Sequence, residues 1–177
     1  YHGPILQGVT GQGSDDDETQ GGFLFFSDEY LDFAIGSVLL GTAGGAKKVS
    51  PLDLFTGADV NDSRVIGVAR ILQTLDADSG ASERDGKIVL LPEVVACFEG
   101  IAGTEPIDFG DTELVENLVN DAVAICSGAG GSLLAAVAPE EAQGNLEAGL
   151  NASGIFRKNI SKTEDWGETK QKLEVMP

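Results

Sequence analysis

Histidine is almost missing from this 177-residue chain: the single imidazole, His2, stands one residue from the start. Nucleophilic hydrolysis by serine or cysteine needs a base within hydrogen-bond reach and a third group to orient that base. No G-x-S-x-G turn is present either, so no complete hydrolytic centre of this kind is expected. Aromatic residues are sparse, at 6% with one Trp, which argues against the aromatic-lined cleft that accompanies a glycosidase carboxylate pair. Cations are scarce as well. Eleven Lys and Arg face 29 Asp and Glu, for a net charge of −18 and a pI near 4.1. Such a chain repels nucleic acid, whose binding rests on basic side chains displacing counterions, and it repels anionic lipid headgroups. No apolar run approaches the roughly 20 residues that span a bilayer. The opening Tyr1-His2-Gly3-Pro4 lacks the basic and hydrophobic regions of a signal peptide.

What is present suffices for a core. Apolar residues make up 42% of the chain, and the length fits a single domain over residues 1–154, with residues 155–177 as a tail or the start of a further region. The first 50 residues read as strands. Pro4-Ile5-Leu6 and Val9 open one, and the acidic run 15–18 forms a solvated loop. Residues 22–36 alternate Leu31, Phe33 and Ile35 with polar or small neighbours, with Ser27-Asp28-Glu29 as the expected hairpin turn. Val38-Leu39-Leu40, ended by Gly41, is a further short strand. Beyond this the period becomes helical. Asp62 caps a helix whose stripe is Val65, Ile66, Ala69, Leu72 and either Val68 or Leu75. It stops in the turn at 76–80. Residues 87–91 are a short buried extended piece, Pro92 opens a helix to about Gly100, and Asp111 or Thr112 caps a third. Residues 127–132 form a Gly-rich break. Pro139-Glu140-Glu141 opens a last helix over 142–150, with its acids where the helix dipole favours them. Strands first and helices afterwards predict an α+β domain: a small antiparallel sheet from residues 4–50 packed on three to four helices.

Chemistry-bearing residues are few. Gly41-Thr42-Ala43-Gly44-Gly45-Ala46-Lys47-Lys48 departs from a phosphate-binding loop at Ala46 and Lys48, which replace the second Gly and the magnesium-binding hydroxyl. Cys97 and Cys126 lie in apolar surroundings with no spacing or second His for zinc. They form either a disulfide between two helices or two buried thiols; a bridge is the expectation for a secreted protein. The main metal candidate is the loop at 76–86, in which Asp76, Asp78, Ser82 and Asp85 offer hard oxygen ligands to calcium, with the acidic run Asp15 to Glu18 a weaker alternative. Gly80 comes one place early for an EF-hand, and Lys87 stands where a bidentate Glu belongs. The same residues also suit an ordinary helix-to-strand turn with Asx caps. No cofactor is required by any pattern. Phe23, Phe25, Phe26, Tyr30 and Phe33 alternate as core residues do. Asn151-Ala152-Ser153 and Asn159-Ile160-Ser161 match a short, common glycosylation sequon.

Three blocks occur in a telling order: Phe33-Ala34-Ile35-Gly36-Ser37-Val38-Leu39-Leu40-Gly41, then Ser50-Pro51-Leu52-Asp53-Leu54, then residues 65–78, which include Ala69-Arg70-Ile71-Leu72-Gln73-Thr74-Leu75-Asp76-Ala77-Asp78. With the closing Ala138-Pro139-Glu140-Glu141-Ala142 and Leu146-Glu147-Ala148, they resemble a domain of bacterial secreted proteins and lipoproteins patterned F-x-I-G, T-P-L-D-L and A-R-x-L-Q-x-L-D-x-D. The likeness covers roughly residues 4–150 and implies a surface or stand-alone module without an assigned activity. It places the chain outside the cytoplasm: secreted, periplasmic or on the outer cell surface of a bacterium. Two departures stand out. An insertion precedes Asp85-Gly86, and Asn145 replaces the His common in that closing helix. The expected role is a non-catalytic interaction or structural module. Alternatives are the non-catalytic portion, or a processed subunit, of a larger secreted hydrolase, and a calcium-dependent binding module. The expected partner is a protein, or the chain's own downstream region, engaged through residues 155–177. There Arg157, Lys158, Lys162, Lys170 and Lys172 accompany Trp166, and self-association stays open. The closing Leu173-Glu174-Val175-Met176-Pro177 has no stop-like composition, so a continuing or processed chain is expected.

Overall fold

The computed structural model describes residues 30–46, 49–82 and 88–153. The expected elements before residue 30, with the turn at Ser27-Asp28-Glu29, and the tail at 155–177 lie outside the described residues. Two strands, β1 (Tyr30–Ile35) and β2 (Val38–Gly44), pair antiparallel. A 3-10 turn at Pro51–Leu54 follows, then α1 (Ser63–Thr74), α2 (Pro92–Ala102), α3 (Thr112–Asp121) and α4 (Pro139–Ser153). The fold is α+β, with a small antiparallel sheet and four helices among the described residues.

The described hairpin turns at Gly36-Ser37, so β2 is the return strand of β1 and not a separate piece. Gly36 supplies the positive φ, +57°, that a two-residue hairpin loop demands. Leu31, Phe33 and Ile35 share one face, and Ile35 is fully buried. The partner strand slips by one residue. Phe33 lies opposite Gly41 while Ala34 lies opposite Leu39, so Leu40 is an extra residue in a bulge. The slip moves the buried phase from Val38 and Leu40 to Ala43. It explains why Gly41 does not end the strand. A Cβ there would lie 2.9 Å from the Cβ of Leu54, so the missing side chain lets the 3-10 turn pack against β2.

Helix α1 is the centre of the molecule. Val65, Val68, Ala69, Ile71, Leu72 and Leu75 are buried, which is more than one amphipathic stripe. Its wide burial arises because it meets α3 and α4, the 3-10 turn and two extended segments at once. Gly67 is buried on it because the carbonyl of Phe109 approaches where a Cβ would stand. Val68, Ile71, Leu72 and Leu75 join Ile35, Val38 and Leu40 of the hairpin, Val94 and Phe98 of α2, and Val115, Leu118 and Val119 of α3 in the main core. Extended residues 88–91 contribute Ile88 and Leu90. A satellite cluster of Leu52, Val65 and Leu150 seats α4.

Each helix start follows its sequence signal. Asp62 accepts the N–H of Arg64, and Asp111 accepts those of Glu113 and Leu114. Pro92 occupies the first helical position of α2. Helix α3 does not stop at Asp121 but widens into a π-helical turn, Ala122–Cys126. That turn carries Cys126 to Cys97 of α2, with 5.7 Å between Cα atoms and a disulfide between the sulfurs. The bridge alternative is therefore the one realised, and it ties two core helices together.

Candidate functional site

The polar residues of the third sequence block lie on α1 and the turn that follows it. Arg70 is only 5% exposed. Its Nε donates to Val137 O at 3.0 Å and its terminal nitrogen to Glu116 Oε2 at 2.6 Å. The guanidinium beside Glu116 holds that carboxyl below its ordinary value, first through the hydrogen bond and then through charge. One turn further, Gln73 donates to Ala142 O at 3.0 Å and accepts from Asn145 at 2.8 Å. Asn145 thus serves as a fastener between α1 and α4. Thr74, fully buried, accepts the N–H of Val137 through Oγ1 at 3.2 Å.

The turn at 76–80 continues this track. Asp76 Oδ1 accepts Val89 N–H at 2.8 Å, while Ala77 N–H donates back to Val89 O at 2.9 Å. Ala77 O receives Leu133 N–H, and Gly80 N–H donates to Leu133 O. The buried Ser79 hydroxyl donates to Thr74 O at 2.9 Å and accepts Ala135 N–H at 3.0 Å. The turn at 76–80 therefore fastens two segments, 88–90 and 132–138, to the end of α1. Buried backbone groups must find partners, and here they find them in Arg70 and Thr74 of α1 and in the backbone and side chains of the turn 76–80.

The expected calcium ligands are distributed unevenly over this turn. Asp76 is buried, Asp78 is half-buried with its carbonyl accepting Ala81 N–H, and Ser82 is exposed. Asp85 lies outside the described residues. Among the described residues no group of three His, Cys, Asp or Glu side chains is placed to hold a metal ion. The remaining block, Ser50-Pro51-Leu52-Asp53-Leu54, is a capping arrangement: Asp53 Oδ2 accepts both the N–H and the hydroxyl of Ser50 at 2.7 Å. At the hairpin, Glu99 of α2 reaches over Gly36 and accepts Ser37 N–H at 2.5 Å, a hydrogen bond that lowers its carboxyl below the usual range.

Electrostatically the described surface is one-sided. Arg64 and Arg70 are the only cationic side chains among the described residues, and both are already paired, with Asp62 and Glu116. Arg64 also lies 5.0 Å from the ring centre of Phe55. The Asp62 hydrogen bond raises its guanidinium further above an already high value, so it stays charged. Exposed acids such as Glu93, Glu113 and Glu140 form no ion pair with either arginine.

Asp76, expected as a calcium ligand or an ordinary turn residue, accepts the Val89 amide, and Arg70, Thr74 and Ser79, which were not among the expected site residues, do most of the fastening. The signal was present in part: a charged residue inside an apolar helical stripe, as Arg70 is, is almost never buried without a partner. No described helix is long and apolar enough to cross a membrane. No family model matches the chain, and neither a curated protein nor a solved structure is detectably similar to it.

Proposed function

We propose that this chain is a non-catalytic interaction or structural module that works outside the reducing cytoplasm, in a bacterial envelope or the extracellular space. One observation carries the reading. The polar side chains that make the sequence blocks recognisable are spent on the fold itself: Ser50 and Asp53 on a cap, Arg70 and Gln73 on carbonyls of residues 137 and 142, Asp76 on the amide of Val89. A catalytic group must reach a substrate with a lone pair or a proton to give, and these have given theirs to the backbone. The scarcity of imidazole in the sequence points the same way.

Location is supported by the Cys97–Cys126 bridge, since structural disulfides persist in oxidising compartments. A surface whose described cations are all paired suits a cationic protein partner and not a nucleic acid. The test is direct. The purified full chain is offered ester, peptide and glycoside substrates at high enzyme concentration, and no turnover above background is expected. Turnover that tracks the protein peak on two columns and is abolished by one point substitution defeats the proposal.

A further inference from the structure

Residues 132–138 run extended past the end of α1, so successive backbone groups point to opposite sides. The N–H groups of Leu133, Ala135 and Val137 turn inward to Ala77 O, Ser79 Oγ and Thr74 Oγ1. Residues of the other phase turn away from α1. Leu134 N–H is taken by Ser127 Oγ at 3.3 Å, whereas the N–H and C=O of Ala136 have no hydrogen-bond partner among the described residues. Ala136 is exposed, between the half-buried Ala135 and the buried Val137. An extended backbone with one edge satisfied and the other open is a template for an added strand, in which main-chain bonds supply affinity.

Charge specifies the kind of strand. Glu116 is already paired with Arg70 on the inward side, so the charge at this edge comes from the exposed Glu140 in the first turn of α4 and from the chain's net charge of −18. An extended segment bearing Lys or Arg is drawn to this edge, and an acidic one is repelled. A second copy of the chain, at −18, is a poor occupant. Resting on the reading of the chain as an interaction module, we infer that the open edge at Ala136 docks an extended cationic peptide segment of a partner protein. The segment exchanges backbone hydrogen bonds with Ala136 while a basic side chain lies beside Glu140.

The experiment titrates the 15N-labelled full chain with an acetylated, amidated Lys-Val-Lys-Val-Lys-Val peptide, beside its Glu-Val counterpart. Saturable amide shifts centred on Ala136 are expected with the Lys peptide only, weakening as salt rises. Ala136→Pro removes the outward N–H but leaves the three inward bonds. It should melt with the wild type and bind about tenfold more weakly, the loss expected for one backbone hydrogen bond that goes unmade. Glu140→Lys, which changes charge without touching the strand, should weaken binding as well. Shifts that map elsewhere, equal binding by the Glu peptide, unchanged affinity in both variants, or no binding at low salt overturn the inference. None of these outcomes touches the non-catalytic reading, which only turnover removes.

Discussion

Removing the Cys97–Cys126 bridge is the perturbation whose size follows most directly from the structure. The two cysteines are 29 residues apart in sequence, and the loop between them contains the end of α2, all of α3 and most of the π-helical turn. In the chain-entropy description, closing a loop of that length in the unfolded ensemble contributes about 3.6 kcal/mol near 25 °C. Cys126 is fully buried in the main core beside α2 and α3, so replacing both residues by Ala adds a small packing loss to the entropic one. For a domain of this size each kcal/mol moves the melting temperature by about 2–4 °C, so a fall of roughly 7–14 °C is expected. The assay is thermal unfolding by circular dichroism of the Cys97→Ala/Cys126→Ala variant and of the wild type with and without a phosphine reductant. Thiol titration of the unfolded, unreduced wild type should find no free sulfhydryl. A free thiol count near two, or a melting shift below about 3 °C on reduction, refutes the reasoning, because the stabilisation would then be under about 1 kcal/mol.

Three further outcomes follow from single contacts. Gly67→Ala should destabilise despite Ala's higher helix propensity, because its Cβ would meet the Phe109 carbonyl oxygen at 2.4 Å; overpacking of this kind costs about 1–3 kcal/mol. Gly100→Ala on α2, where nothing lies within 4 Å, should stabilise by about 0.5–1 kcal/mol, and urea melts of the pair read the contrast. Glu116→Gln should cost up to about 1 kcal/mol at neutral pH, the carboxylate being half exposed. The folded-state pKa of Glu116 is lowered, so its contribution is present above the ordinary Glu range and is lost as pH falls through the folded value. The stability gap between wild type and variant should therefore close on acidification, and a gap that widens contradicts the pairing with Arg70. Asp76→Ala leaves the Val89 amide unsatisfied and should cost about 1–3 kcal/mol, equally in calcium and in chelator. A cost that appears only with calcium would assign the 76–86 loop to the metal instead.

Local signals decided the helix starts. Asp62, Pro92, Asp111 and Pro139 each combine a capping or first-turn residue with an apolar period behind it, and that short-range chemistry is complete in the sequence. The pairing of Cys97 with Cys126 was half legible: composition left two options, and only the placement of α2 against the end of α3 chose between them. Other features depend on neighbours far along the chain. The bulge at Leu40 shifts the inward phase of β2, and the 3-10 turn packs where a Cβ of Gly41 would stand, features no strand periodicity contains. The placement of residues 132–138 carried no sequence signal, since their hydrogen bonds go to side chains and a turn some 60 residues earlier in the chain. Composition alone determined that this surface is acidic and poor in proton-transfer groups. Tertiary structure decided that its buried polar residues are fasteners, because a hydroxyl or guanidinium acquires its role from whichever backbone group is brought within 3 Å of it.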